Sequence, residues 1–194
     1  MKNWLSIFVL VGLTACGSVP EEQLAADGKP LPKFYDLTSV DAATLQFRML
    51  DSVNALRNSV GLTQLRLNAK LTAAAATHSR DMALQNRPWH FSSDGSSPLD
   101  RAKRVGYENQ FLGETISETY ENEILTLTAW LEDDSTRFVL MDEGATEMGF
   151  SWFQEPNGKI YQTQFCHSWW CILSNSGLFR NYQREFRNHN GTRK

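Results

Sequence analysis

The chain is short of the residues that most often carry chemistry. Its 194 residues include three cysteines and four histidines. Three cysteines cannot build the dense disulfide framework of a small secreted scaffold. Four histidines leave few side chains that can serve as a general base near neutral pH. Basic residues are not in excess: 19 Lys and Arg stand against 22 Asp and Glu, for a formal net charge of −3. The main body therefore lacks the electrostatic footprint of a nucleic-acid binder, and no nucleic-acid partner is expected. Past Leu13 no run is long and apolar enough to span a bilayer. Ser92 and Ser93 have no Gly-x-Ser-x-Gly elbow around them, which argues against a serine nucleophile. There is no internal repeat.

The N-terminus is where apolar residues concentrate. Met1-Lys2-Asn3 is a short positive start, and Trp4 to Leu13 is an apolar run of signal-peptide length. It ends in Leu13-Thr14-Ala15-Cys16, which resembles the bacterial lipobox; the alternative is an ordinary secretory signal with small residues before a cysteine. The lipobox resemblance implies that residues 1–15 are a signal peptide and that Cys16 is lipidated on sulfur and anchors the protein to the membrane. Gly17 after the cysteine implies, by the same sorting rules, an outer-membrane address facing the periplasm in a cell with two membranes. Residues 16–40, Pro-, Glu- and Ala-rich from Ser18 to about Lys33, read as a flexible tether.

Residues 41–166 make one domain's worth of chain. Asp41 is a plausible N-cap, and Leu45, Met49, Val53, Leu56 and Val60 follow at helical spacing up to Gly61. Asn68 caps a second helix from Ala69 to about Gln85, whose run Ala73–Ala76 lets another element approach closely. Ser97-Pro98 opens a short third helix that Gly106 stops. Leu112 to Ser117 suits a strand or a strand-like loop, and Glu121 to Leu131 a helix. Glu147–Gln154 and Lys159–Phe165 are β-rich runs joined by Asn157-Gly158, a strong hairpin signal. The pattern predicts an α+β domain with helices on both faces of a small antiparallel sheet.

The densest signal lies between Trp89 and Glu114, where a histidine and a glutamate sit in two turn-rich segments flanking the third helix. Such a pair is the smallest unit of metal or acid–base chemistry. Around it run His78-Ser79-x-Asp81-Met82-Ala83, then His90-x-Ser92-x-Asp94-Gly95-x-Ser97-Pro98-x-x-Arg101, Gly106-Tyr107, Gly113-Glu114, Trp130, Met148-Gly149 and Tyr161-x-Thr163-Gln164-Phe165. In order and spacing this series, from Asp41 to Phe165, resembles the CAP superfamily (cysteine-rich secretory proteins, antigen 5 and pathogenesis-related 1 proteins; the SCP domain), in its bacterial secreted branch. The resemblance implies an α-β-α sandwich. It also implies a cleft of two histidines and two acidic residues able to hold a divalent metal.

Mapped onto this chain, the first histidine is His90 and the first acid Glu114. The second acid is Asp133, three residues after Trp130, and the second histidine position, twelve residues before Met148, holds Thr136. One imidazole with two carboxylates, His90, Glu114 and Asp133, makes at most a weak metal site, since transition metals favour a second imidazole. The reading is a non-catalytic binding or scaffolding module with a cleft at His90, Glu114, Asp133 and Thr136, for which the resemblance implies an unknown lipid or envelope ligand; His90 and Glu114 could instead simply hydrogen-bond each other or neighbouring backbone and stitch two loops to the sheet. The alternative is a metal-dependent, protease-like hydrolase using His90, Glu114 and Asp133.

The remaining candidates read as structural. His78 is a packing histidine in an alanine-rich helix, and Arg101 could pair with Asp94 across the turn. Trp130 and Trp152 are core. Cys166 and Cys171 could form a disulfide in an oxidising compartment or remain free thiols. Residues 167–194 carry Arg180, Arg184, Arg187, Arg193 and Lys194 with Trp169 and Trp170; they read as a poorly ordered basic extension, or else as a segment that touches anionic lipid.

Overall fold

A computed structural model describes residues 35–168. The lipobox with Cys16, most of the tether, Cys171 and the basic extension after Ser168 lie outside the described residues. Nine elements follow in order: α1 (Ala42–Ser59), β1 (Arg66–Leu67), α2 (Ala69–Gln85), α3 (Pro98–Arg104), β2 (Gln110–Thr119), α4 (Glu123–Glu132), α5 (Asp134–Leu140), β3 (Glu147–Gln154) and β4 (Ile160–Ser168). None of the described helices is long and apolar enough to cross a membrane.

Local chemistry sets the helix starts. The Asp41 carboxylate accepts from Thr44 N, and Asn68 accepts from Lys70 N and Leu71 N. Ser97 and Asp100 form a reciprocal capping box with Pro98 at the first turn of α3. Each cap satisfies amides that have no partner inside the helix.

The sheet order is β1-β3-β4-β2. Its three long strands are antiparallel, but β1 runs parallel to β3 through Arg66↔Glu147 and Leu67↔Met148. The sheet is thus mixed rather than wholly antiparallel, because two residues between a loop and the Asn68 cap are too few to show a period of two. Helix α5 is a further departure from the sequence reading. Its seven residues form one short amphipathic segment, and the start is marked only by the Asp133 cap.

Alternation along each strand separates two faces. On one, Met148, Phe150 and Cys166 pack with Met49 and Val53 of α1, Leu127 and Trp130 of α4 and Leu140 of α5. On the other, Phe165 and Phe111 pack with Leu71, Ala74 and Ala75 of α2, Ala102 of α3 and Tyr107. The result is the expected α-β-α sandwich. Trp130 is core and donates its indole N–H to Ile116 O at 3.0 Å; Trp152 is half-buried at the core margin.

Two glycines permit the layers to close. A Cβ on Gly149 of β3 would lie 2.2 Å from Leu71 C and 2.4 Å from Thr72 N, both backbone atoms of α2. A Cβ on Gly113 of β2 would lie 2.6 Å from a Val139 methyl of α5. Between Phe111 and Gly113 the β2–β4 register shifts, a bulge that re-aims the strand just before Glu114. At the far end Arg57 is fully buried, and its guanidinium donates to Thr63 O, Leu140 O, Asp142 O and Ala145 O at 2.8–3.2 Å. That fan ties α1 to the turn leading into β3.

Candidate functional site

Glu114 sits on β2 opposite Phe165, on the sheet face that α2 and α3 cover. Its side chain has no exposure, and both of its oxygens are engaged. Oε2 accepts from Arg101 Nη2 at 2.5 Å, and Oε1 accepts from His90 Nδ1 at 2.8 Å. A second imidazole lies close: His78 Nε2 of α2 is 3.8 Å from Oε1. Trp89 O, 3.0 Å from the same nitrogen, can only accept, so His78 carries its proton on Nε2.

The loop between α2 and α3 is fastened at both ends. Arg101 Nη1 donates to His90 O, Ser92 Oγ and Ser96 O at 3.0–3.1 Å. The Asp81 carboxylate of α2 accepts from Ser93 N at 2.7 Å and Ser93 Oγ at 2.5 Å. Gln85 accepts from the Trp89 indole N–H and donates to Phe91 O. Gly95, at φ +80, makes the turn that returns the chain to Ser96. These bonds give His90 a fixed place, with 37% of its side chain exposed, while Glu114, Arg101 and His78 lie buried beneath it.

The electrostatics follow from this enclosure. Burial alone pushes the Glu114 carboxyl up, but the Arg101 guanidinium, His78 and His90 more than offset it and bring it down to about 2. His78 moves down because burial disfavours its charged form; Glu114 opposes that shift, while Arg101 and His90 add to it. At neutral pH the cluster is an ionised carboxylate against one guanidinium, with a neutral imidazole packed beside it.

The second half of the expected cleft is not assembled with the first. Asp133 is exposed and caps α5, accepting from Ser135 N at 2.8 Å, Ser135 Oγ at 2.5 Å and Thr136 N at 3.3 Å. The Ser135 hydroxyl is the main reason its carboxyl is lowered. Thr136 Oγ1 donates to Trp130 O at 2.6 Å and to Asp133 O, which spends it on the α4–α5 junction. Among the described residues no three His, Cys, Asp or Glu side chains gather to hold a metal ion. Of the expected set, both Glu114 oxygens are held by Arg101 and His90, and Asp133 caps α5. The donors present do not fit a divalent metal.

Other expectations resolve plainly. Asp94 pairs with Arg104 at 3.0 Å, not with Arg101, because α3 points Arg101 inward to Glu114. Among the described residues Cys166 has no disulfide partner; it is fully buried in the core, burial pushes its thiol up to about 11, and its suggested partner Cys171 lies outside the described residues. Arg101 and His78 are the two members of the cluster that the sequence did not identify. The available signal was that a buried Glu114 requires a cation, and Arg101 lies on the face of α3 that Pro98 and Ala102 bury. A groove of about 580 Å³ lies elsewhere, lined by Asn68, Lys70 and Gly106 to Asn109, with neither His90 nor Glu114 in its wall.

The family model for CAP, the cysteine-rich secretory protein family, matches residues 50–172. The uncharacterized protein YkwD of Bacillus subtilis (strain 168) is 26% identical over 118 residues, covering 61% of this chain and 45% of that protein. The chain thus spans less than half the length of this curated relative. Among solved structures, an extracellular SCP-domain protein from Bacillus anthracis str. Ames aligns with a TM-score of 0.59 and 24% identity, covering 66% of this chain and 41% of that one. An outer surface protein from Borrelia burgdorferi aligns with a TM-score of 0.57 and 16% identity, covering 66% and 96%. With the fold, the order of motifs and the family model in agreement, the chain belongs to the CAP (cysteine-rich secretory protein) family.

Proposed function

We propose that this protein is a lipid-anchored, envelope-exposed CAP domain that binds or scaffolds without catalysis. The observation that carries this reading is the saturation of Glu114: both carboxylate oxygens are held, in a buried network, by Arg101 and His90. A carboxylate lowered to about 2 and paired with a guanidinium is a poor proton acceptor at neutral pH. It stitches α2, α3, their connecting loop and β2 together, and the half-exposed His90 ring is the part of this network that reaches the surface. Lipidation at Cys16 is supported by the Leu13-Thr14-Ala15-Cys16 sequence. An envelope address is in keeping with relatives described as an extracellular protein and an outer surface protein. In a cell with two membranes the address is the outer membrane, facing the periplasm.

Three measurements test these parts. Cys16→Ser is expected to shift the protein from the membrane fraction to the soluble one; a variant that stays with the membrane sinks the lipid anchor. Native mass spectrometry of protein purified from its own envelope is expected to retain an envelope ligand, and repeated recovery of the bare chain counts against binding. The hydrolase alternative requires a metal at His90, Glu114 and Asp133. Calorimetric titration with zinc is expected to give no binding heat, and a signal abolished by His90→Ala would restore that alternative.

A further inference from the structure

The sheet face opposite Glu114 carries a second polar network, built differently. On β4, Gln162 and Gln164 alternate inward between Ile160 and Cys166. Gln162 stands in register with Ser117 of β2 and Trp152 of β3, and Gln164 with Thr115 and Phe150. Helix α4 lies over these rows: Gln162 Nε2 donates to Thr126 Oγ1 at 2.7 Å and to Glu121 O at 3.2 Å. Glu123, one turn before Thr126, is itself fully buried and pairs through Oε1 with Arg48 Nε of α1 at 2.5 Å.

Eight buried side-chain nitrogen and oxygen atoms among the described residues have no hydrogen-bond partner within the protein. Three of them, on His78, Ser96 and Arg101, belong to the Glu114 neighbourhood. The other five are Thr115 Oγ1, Ser117 Oγ, Gln162 Oε1, Gln164 Oε1 and Glu123 Oε2. All five are oxygens: four stand on two neighbouring register rows of the face that α4 covers, and the fifth, Glu123 Oε2, is on α4 itself. Three of them, the two amide carbonyls and the carboxylate oxygen, can only accept. Buried acceptors of this kind are rarely left without a donor. The neighbouring hydroxyls of Thr115 and Ser117 are not within hydrogen-bonding reach of them, so the donor must be something that sits between.

We infer that the seam between α4 and the β2–β4 pair is a binding site for at least two structural water molecules. Two rows two residues apart along a strand are separated by about 7 Å, which exceeds the span of a single water and calls for one in each row. In each row a water meets at least two unpartnered oxygens, Ser117 Oγ with Gln162 Oε1 and Thr115 Oγ1 with Gln164 Oε1, within the two to four partners of buried water. A metal cation would fit an all-oxygen set, but the single carboxylate here is already neutralised by Arg48. Adding a cation would leave an uncompensated buried charge. The neutral ligand is favoured.

Gln164→Leu gives a test that turns on sign. Leucine has a similar volume and no polar atoms, and the Gln164 amide otherwise makes only a long contact to Cys166 Sγ at 3.6 Å. If water holds Gln164 Oε1, the substitution removes one of that water's few partners, and the melting midpoint of the full-length chain falls by roughly 3–6 °C. If the carbonyl is dry, removing it relieves a desolvation cost; a midpoint that rises or stays put overturns the inference. Oxygen-17 relaxation dispersion on the unsubstituted protein provides a reading that does not depend on the variant folding. It is expected to detect at least two waters with residence times longer than tumbling, and their absence overturns the site. Exchange of sodium and potassium for choline is expected to leave the midpoint unchanged; a cation-dependent midpoint would reassign the seam to a metal ion.

Discussion

Glu114 and Asp133 are the two acids that the family pattern places in one cleft, and both are held below the ordinary carboxylate range. They reach that state by opposite routes. Glu114 is entirely buried and kept ionised by Arg101, His78 and His90, against the pull of desolvation. Asp133 is in water and is lowered by the Ser135 hydroxyl and the first amides of α5. The first acid joins four segments distant in sequence; the second organises its own turn. The two acids of the family motif have thus become a tertiary keystone and a local cap.

Removing Glu114 gives the largest expected effect. Glu114→Ala leaves the Arg101 guanidinium buried without its counter-charge and is expected to cost about 3–5 kcal/mol in urea unfolding. Glu114→Gln keeps the shape but not the charge and should fall between that variant and the parent. A smaller loss, in the range of about 1–3 kcal/mol seen for overpacking, is expected for Gly149→Ala, because the added methyl meets the α2 backbone rather than a flexible side chain. If Gly149→Ala melts like the parent, α2 does not rest on β3 as closely as described.

Acid titration sharpens the same contrast. The folded-state value of Glu114 lies below its ordinary 4.5, so its contribution to stability is present above about 4.5 and is lost as pH falls toward about 2. His78 is also lowered, from an ordinary 6.5, so burying it neutral favours the fold above 6.5 and that contribution fades as pH falls below 6.5. Stability should therefore decline in two stages on acidification. His78→Gln is expected to remove the upper stage, and a profile unchanged by that substitution would refute the assignment. The smallest effect belongs to Asp133→Ala: a midpoint lower by a few degrees at most, from the lost cap, with the Glu114 stage intact.

Features with local causes were legible in the sequence. Asp41, Asn68 and Ser97-Pro98 place three helix starts through capping chemistry within a few residues, and Asn157-Gly158 places the β3–β4 hairpin. Features whose cause is distant in sequence were not. Strand β1 exists only because β3 is alongside it, and α5 is too short to show a period. At the site, His90 and Glu114 were found by motif and do converge. The sequence offers Arg101 only Asp94, its neighbour across the turn, as a possible partner, because the interior that makes Glu114 demand a cation is a property of the folded sheet. His78 was read as a packing residue; its packing is what sets it beside that carboxylate.

The bulge between Phe111 and Gly113 acts as a reading frame for this molecule. Gly113 and Glu114 are adjacent and face opposite sides, one admitting Val139 of α5 and the other holding Arg101 of α3. A slip of one residue would exchange them. It would press a carboxylate into the Val139 methyls and leave Arg101 facing a residue with no side chain. The two helical layers are thus kept in phase by one extra residue in an edge strand, and the Gly-Glu dipeptide has meaning only when read from that point.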